Sequence, residues 1–432
     1  MSTDRDPPTP EVEGSPGGGH PGTGRLYGRN YATLFGVEFA LFGVYYTLLP
    51  VIPLYIVKLG GTESMVGLIM GLTAPIAALG TPVYGAAIDR WSRKGAAAVG
   101  FVLIAVGVVL LPLIAKPWLL LIPDLFRRAG TATTGAATRT ILIDVAPLTR
   151  RGEAISTITI SHNFATALGP LVGLALFDRS GIGPVAALCV ALAGFGMIGI
   201  IPLRGSERLG TPPTPGLEEG FIEQTGPIAV PAIREGIIRK VVTPEAWMPA
   251  VVLFLFVTAF FGTLAFVSLL GERREIPGFG VFFTVYGFVV IGSRLFIGQL
   301  SDRYGRGAVL VPCLVLGIVS MVLLGPANNL AMLLAAAVFL GIGWGSAFPT
   351  LLTLAVDRSS PDRVGRTMAM MSAAFAFGTA VGAILVGSFA DAFGFGLAYG
   401  MIAGLLTIAL AVLLGDYRRT GRPLIARVET VG

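Results

Sequence analysis

The stretch GAAIDRWSRKG, Gly85 to Gly95, returns as GQLSDRYGRG, Gly298 to Gly307, with the copies 213 residues apart in a chain of 432. The offset holds without a gap far beyond the motif, through Gly67/Gly280, Gly130/Gly343, Asp144/Asp357, Arg150/Arg363, Gly152/Gly365, Gly169/Gly382, Asp178/Asp391 and Gly181/Gly394. Inside the motif, Gly85/Gly298, Asp89/Asp302 and Arg90/Arg303 match, so six of the eleven aspartates pair in register. Glycine matches come cheaply in a glycine-rich chain; aligned aspartates and arginines in a chain with few charges do not. The sequence is a duplication, and two halves of the same fold follow from it.

Hydrophobic residues make up 54% of the chain and charged residues 13%, which is more apolar surface than a soluble core of this length needs. Apolar windows long enough to cross about 30 Å of hydrocarbon lie near 31–57, 66–87, 95–115, 118–143, 154–177, 183–203, 249–270, 279–299, 307–326, 329–354, 367–390 and 397–415. The expected fold is therefore an all-α polytopic membrane protein, twelve transmembrane helices in two pseudo-symmetric six-helix bundles.

Residues 1–29 are rich in Pro, Gly and polar groups and read as a disordered cytoplasmic tail, not a signal peptide. The first bundle spans 30–203, a linker with a short amphipathic helix spans 204–248, the second bundle spans 249–415, and 416–432 form a second tail. Arg90, Arg93, Lys94, Arg150, Arg151, Arg303, Arg306, Arg358, Arg363 and Arg366 share one side of the bilayer, against Lys58, Lys116, Arg179, Arg273 and Arg274 on the other. The positive-inside rule puts the first set, both termini and the linker in the cytoplasm. The net charge of +6 is thus a matter of orientation in a cell membrane, and nucleic acid is not expected as a partner.

Cys189 and Cys313 both fall inside predicted spans, and the two histidines are His20 in the tail and His162 in a helix, too few for a metal cluster. There is no GxxxxGK[ST] loop for direct use of ATP. Neither cofactor nor metal is expected, and an enzyme reading finds no nucleophile or cofactor loop.

Two six-helix halves, a long linker, and G-x-x-x-D-R-x-x-R-K between helices 2 and 3 resemble the major facilitator superfamily over about residues 30–415. Gly169-Pro170-Leu-Val-Gly173 in helix 5 is similar to the antiporter motif of its drug:proton exporters; the matching place in the second half holds Gly382-Ala383, without the proline. The resemblance implies a proton-coupled exporter working by alternating access, with a small-molecule substrate, protons as coupling ion, the lipid bilayer as surroundings, and a monomer as the working unit. It also implies a cavity lined by helices 1, 4, 7 and 10.

The residues carry readings of their own. Gly85 and Gly298 permit close helix approach at the cytoplasmic edge. Asp89 can accept from a helix N-terminus, while Arg90 reaches an acidic partner, with Asp144 the best placed; Asp302, Arg303 and Asp357 repeat the arrangement. Together with Arg93 these groups read either as a gate that would lock the outward-facing state or as a solvated loop carrying inside-positive charge. Gly169, Pro170 and Gly173 read either as a kink sealing the halves against proton leak or as an ordinary packing site.

A charge inside the bilayer is expensive and by default functional. Glu38 lies about 10 Å into helix 1 at 1.5 Å per residue, deep enough to serve as the proton-coupling carboxylate, or else to pair structurally with an arginine of helix 4. Helix 4 carries Asp124, Arg127, Arg128 and Arg139, with Thr131, Gly135 and Thr138 on the same side as three of them. Three readings stand: Arg127 or Arg128 tunes a proton path to Glu38; the arginines form an anion site; or Asp124 and Arg128 pair at i, i+4 and touch no ligand. Tyr45 in helix 1 joins the cavity group. His162, with Asn163, adds polar capacity in helix 5, as a packing residue or a cavity group. Arg294 reads as closing helix 8 near the cytoplasmic face. Opposite stand Phe254, Phe256, Phe260, Phe261 and Phe266 of helix 7 and Trp344 and Phe348 of helix 10, of which Phe256, Phe260 and Trp344 are the expected substrate contacts. The register pairs Glu38 with Val251, Asp124 with Ala337, Arg128 with Gly341 and Arg139 with Leu352, so the buried charges are expected in the first half alone. Export of an amphipathic or drug-like molecule in exchange for protons is the leading expectation. Carriage of an organic anion, sugar or metallophore, including inward, and a transceptor that keeps the fold without transporting are the alternatives.

Overall fold

The computed structural model describes residues 28–79, 92–146, 150–203, 245–360, 363–421 and 424, with side chains at 78, 79, 151, 152, 155, 156, 295–299 and 302 outside the description. The first loop motif with Gly85, Asp89 and Arg90, nearly all of the linker with its expected amphipathic helix, and most of both expected tails lie outside the described residues; within the second tail, 416–420 continue the last helix.

Within them the chain is helical and contains no strand. The first half is α1 (Arg29–Lys58), α2 (Glu63–Leu79), α3 (Arg93–Leu110), α4 (Leu121–Val145), α5 (Arg151–Ser180) and α6 (Ile182–Ile200). The second is α7 (Trp247–Arg273), α8 (Val281–Tyr304), α9 (Arg306–Leu324), α10 (Leu330–Asp357), and a run from Val364 to Thr420 that breaks at Gly394 into α11 (364–393) and α12 (395–420). The break has a local cause. Gly394 has φ +80° and its repeat mate Gly181, between α5 and α6, has φ +75°, a region that side chains disfavour, so both halves turn on a glycine at the same place.

Several helices outrun their apolar windows, because polar residues continue a helix past the hydrocarbon edge. Three described starts are capped by side chains: Thr62 accepts from Met65 N–H before α2, Ser92 from Gly95 N–H before α3, and Asn329 from Met332 N–H before α10. The helix α4 departs from the rest, since its five charged residues keep it from qualifying as an apolar span. Its burial must come from protein contacts.

Within the hydrophobic window of each helix, α1 is 89% buried and α7 78%, against 28% for α6. The first two therefore run through the centre, and α6 faces outward toward lipid. The halves join along α2 with α11, α5 with α8, and α1 with α7. At Gly67 an added Cβ would lie 2.5 Å from the Ala383 carbonyl oxygen, and at Gly287 2.9 Å from Ala167 Cα, so both seams close backbone to backbone.

The end carrying Arg29 and Thr420 is the terminal end; the end carrying Lys58, Glu63, Ser180 and Arg273 is the far end. The described bonds across the seam lie toward the far end: Arg273 with Glu63 at 2.7 Å, Ser268 Oγ to the Pro50 carbonyl at 3.1 Å, and Thr284 Oγ1 to the Ala167 carbonyl at 2.9 Å.

Candidate functional site

Glu38 stands nine residues into α1, on the face that α5 covers, and its Oε2 meets His162 Nε2 at 2.7 Å. Both side chains are 4% exposed, so the pair is closed off from solvent. The Phe42 ring, one turn along α1, packs on the imidazole at 3.7 Å between centroids. From α4, Thr138 is within hydrogen-bonding reach of the Glu38 carboxyl and Arg139 is close enough for its charge to act on it. From α8 of the other half, Arg294 acts on His162 and on Tyr46, whose hydroxyl is within reach of Thr166. The buried pair is thus held by the first half and faced by a cation of the second.

This corrects two expectations. The direct partner of Glu38 is His162, and the helix 4 arginine beside it is Arg139, because Arg127 and Arg128 are committed elsewhere. Nor are the inward charges confined to the first half. Arg294 lies ten residues before the end of α8, about 15 Å at helical rise, and reaches the centre instead of closing the helix at the membrane surface.

A second cluster surrounds Asp124. Its Oδ2 accepts from Thr73 Oγ1 of α2 at 2.5 Å and from Arg128 Nε at 2.7 Å, and its Oδ1 accepts from Arg127 Nε at 3.1 Å and from Arg127 Nη2. The Arg127 guanidinium lies 5.6 Å from the centroid of the Tyr45 ring, and Tyr45 touches Tyr46 edge to face at 5.1 Å. The i, i+4 pairing of Asp124 with Arg128 is therefore present, and Arg127 shares the same carboxylate.

The expected aromatic wall is assembled mainly from α7 and α10. Trp344 stacks on Phe260 at 3.5 Å and on Phe256 at 5.5 Å, with Phe348 at 5.4 Å on its other side. Two residues unnoticed in the sequence complete it: Phe375 of α11 meets Phe348 and Phe261, and Tyr286 of α8 lies 5.7 Å from Phe260. Tyr286 also acts on Tyr46, so the aromatic wall and the ionic first half meet at a pair of tyrosines. Phe266 is buried on the seam at Gly387, away from this wall.

At the rims, Asp144 pairs with Arg93, and Asp357 pairs with Arg306 at 3.1 Å. These are repeat mates, and each pair ties the start of one helix to the end of the next inside a single half. Asp144 is therefore engaged by Arg93; in the second copy Arg303 lies over the Tyr304 ring at 5.4 Å instead of reaching Asp357. Because the ions are neighbours within one half, the pairs exist with the far end joined and do not bridge the halves. The side chain of Asp302 lies outside the description, and Gly298 falls within α8. Gly169 and Gly173 close on Thr47 of α1, where added Cβ atoms would come within 3.0 Å of its nitrogen and 2.5 Å of its oxygen. That is packing inside the first half; the seam to the second half is made by Ala167 and Leu174 on another face of α5. Pro170 sits within the helix beside these contacts.

Against known proteins, the family model described as Major Facilitator Superfamily matches residues 34–282 and 275–429. A protein of Dickeya zeae (strain Ech586) named multidrug resistance protein MdtG is 26% identical over 404 residues, covering 88% of this chain and 93% of the relative. Its namesake from Enterobacter lignolyticus (strain SCF1) is 24% identical over 409 residues, 90% of each chain. Among solved structures, the nucleoside transporter NupG superposes with TM-score 0.67 at 16% identity over 90% of this chain and 100% of its own. The peptide transporter POT in complex with sulfate superposes with TM-score 0.71 at 17% identity over 92% and 96%.

Proposed function

The chain belongs to the major facilitator superfamily, and from that premise we propose that it exports amphipathic, drug-like small molecules in exchange for protons, with Glu38 as the coupling carboxylate. It is a multi-pass membrane transporter; direction, coupling ion and substrate are the proposal.

The observation that carries it is the buried Glu38–His162 contact at 2.7 Å with Arg294 of the opposite half acting on it. A carboxylate and an imidazole in contact hold one proton between them or two, and the second proton changes the pair's net charge by one. In a low-dielectric interior that change alters the attraction between the pair and Arg294 by far more than it would in water. Loading a proton therefore weakens an electrostatic attraction between the halves, and releasing it restores that attraction. Alternating access needs such a coupling of site occupancy to bundle position. Arg139, on the pair's own half, adds a positive charge beside the carboxylate.

The excess of arginine at the terminal end puts that end in the cytoplasm. The described seam bonds at the far end support reading the state as inward-facing. Efflux is supported by the names of the curated relatives, which are multidrug resistance proteins.

The test is transport in proteoliposomes under an imposed pH gradient. Glu38→Gln should bind solute and exchange it across the membrane while losing acceleration by the gradient. Proton-driven efflux at the wild-type rate in that variant would remove Glu38 from the mechanism.

A further inference from the structure

We propose that the exported solute carries an anionic group, a carboxylate, phosphonate or sulfonate, which binds between Arg127, Arg128 and Tyr45. This rests on the transport reading above for what the site is for, and on the following geometry for what it binds.

Asp124 is one carboxylate between two guanidiniums, so the cluster carries a net charge of +1 in the membrane interior. Four donors converge on its two oxygens, from Thr73, Arg127 twice and Arg128, which exhausts its capacity. Donors are left over. Arg127 Nη1 is buried and takes no hydrogen bond, in a residue only 3% exposed. Arg128 engages Asp124 through Nε, so its Nη1 and Nη2 are not held by that carboxylate, and its side chain is 11% exposed. Tyr45 is partly buried beneath Arg127 and brings a hydroxyl to the same place. An excess cation and several unspent donors in low dielectric are costly until an anion with two or more acceptor oxygens arrives.

The same imbalance holds on the larger scale. Apart from charges near helix ends, and counting Asp124 although it sits in the first turn of α4, the described helices carry Glu38 and Asp124 against Arg127, Arg128, Arg139 and Arg294. Tyr46, Tyr286 and Phe260 lead from Tyr45 to Trp344, so a solute with its charge at Arg128 has an apolar wall within reach of its body. The expected ligand is an organic anion with an aromatic or apolar body.

The experiment is equilibrium dialysis with the purified full-length protein in detergent at constant pH, without a gradient. The probes are 2-naphthoate, 2-naphthalenesulfonate and 2-naphthylphosphonate, each beside its neutral amide or ester. At least one anion should bind about tenfold or more tighter than its neutral partner, the scale of a charge-assisted contact. Arg128→Gln should abolish that preference and leave the neutral compound unchanged. Tyr45→Phe keeps every charge and should weaken the anion about fivefold, as for one lost hydrogen bond. If Arg128→Gln does not fold, Tyr45→Phe and Arg128→Lys decide. The proposal is overturned if no anion is preferred by the wild type, or if the variants weaken anion and neutral partner alike. No proton gradient enters, so a failure of Glu38→Gln to uncouple transport leaves this result standing, and the reverse also holds.

Discussion

The two halves agree at their rims and diverge at their centres. Arg93 with Asp144 and Arg306 with Asp357 are the same ion pair drawn twice. Nearer the opposite end of the same helices, Arg128 of α4 corresponds to Gly341 of α10, where an added Cβ would lie 2.9 Å from the Val289 side chain. The first half holds two helices together around a buried charge, and the second presses two helices into direct contact. Rims must work alike if both bundles tilt by the same motion, whereas a site between the bundles gains from unlike walls. Duplication thus supplies matching rims, and departures from it mark where the proposed handling of solute and proton is placed.

The sharpest way to break the comparison is at Asp124. Asp124→Asn leaves two buried guanidiniums without their carboxylate and should cost about 3–5 kcal/mol, the scale for one lost partner of a buried pair. Thermal unfolding in detergent measures it, and a change under 1 kcal/mol would mean that the cluster is solvated.

Next are the glycines that set the spacing of α1 to α5 and of α7 to α11. A Cβ at Gly382 would lie 2.2 Å from the Thr258 carbonyl oxygen, while one at Gly169 would lie 3.0 Å from Thr47 nitrogen. Gly382→Ala should therefore cost about 1–3 kcal/mol, as overpacking does, and Gly169→Ala less. Equal losses by the same unfolding assay would show that the two packings are equivalent after all.

At the rims the mates should differ by exposure alone. Asp144 is 15% exposed and Asp357 48%. Asp357→Asn should cost about 1 kcal/mol or less, in the range of surface pairs, and Asp144→Asn more; the reverse order in unfolding midpoints would mean that burial does not set the strength of these pairs.

The smallest effect is expected at the far-end contact between Glu63 and Arg273, whose arginine side chain is 54% exposed. Glu63→Gln should shift the population toward far-end opening by about fivefold or less, matching a surface ion pair. Maleimide labelling of a cysteine placed at Thr62 reads it against a low background, since Cys189 and Cys313 are both buried. An unchanged labelling rate would show that the seam at Gly67 alone closes that end.

Much of the site was legible before any coordinates. Glu38, Asp124 and Arg128 stand out because charge is scarce in apolar helices, and Phe260 and Trp344 because the resemblance named their helices as lining the cavity. His162 was weighed mainly as a packing residue, since a lone histidine on an apolar helix announces no partner. Arg294 was placed at the membrane surface because helix ends are blurred in sequence; a count from the start of α8 would have put it 13 residues in. Glu63 drew no reading in the sequence and Arg273 counted only toward orientation, because nothing local says that helix ends on different halves meet.

The sequence by itself determined that the chain is duplicated, that it crosses the membrane repeatedly, and that its interior charges are few and unevenly divided. These are properties of order along one dimension, where apolar length and register suffice. Only the tertiary structure decided which charge meets which: Glu38 with His162 directly and with Arg139 of helix 4 through its charge, Asp144 with Arg93, and Arg294 across the seam. Those choices depend on the rotation of each helix about its axis and on the close approach that its glycines allow. Both are set by all the neighbours at once, and no single segment encodes them.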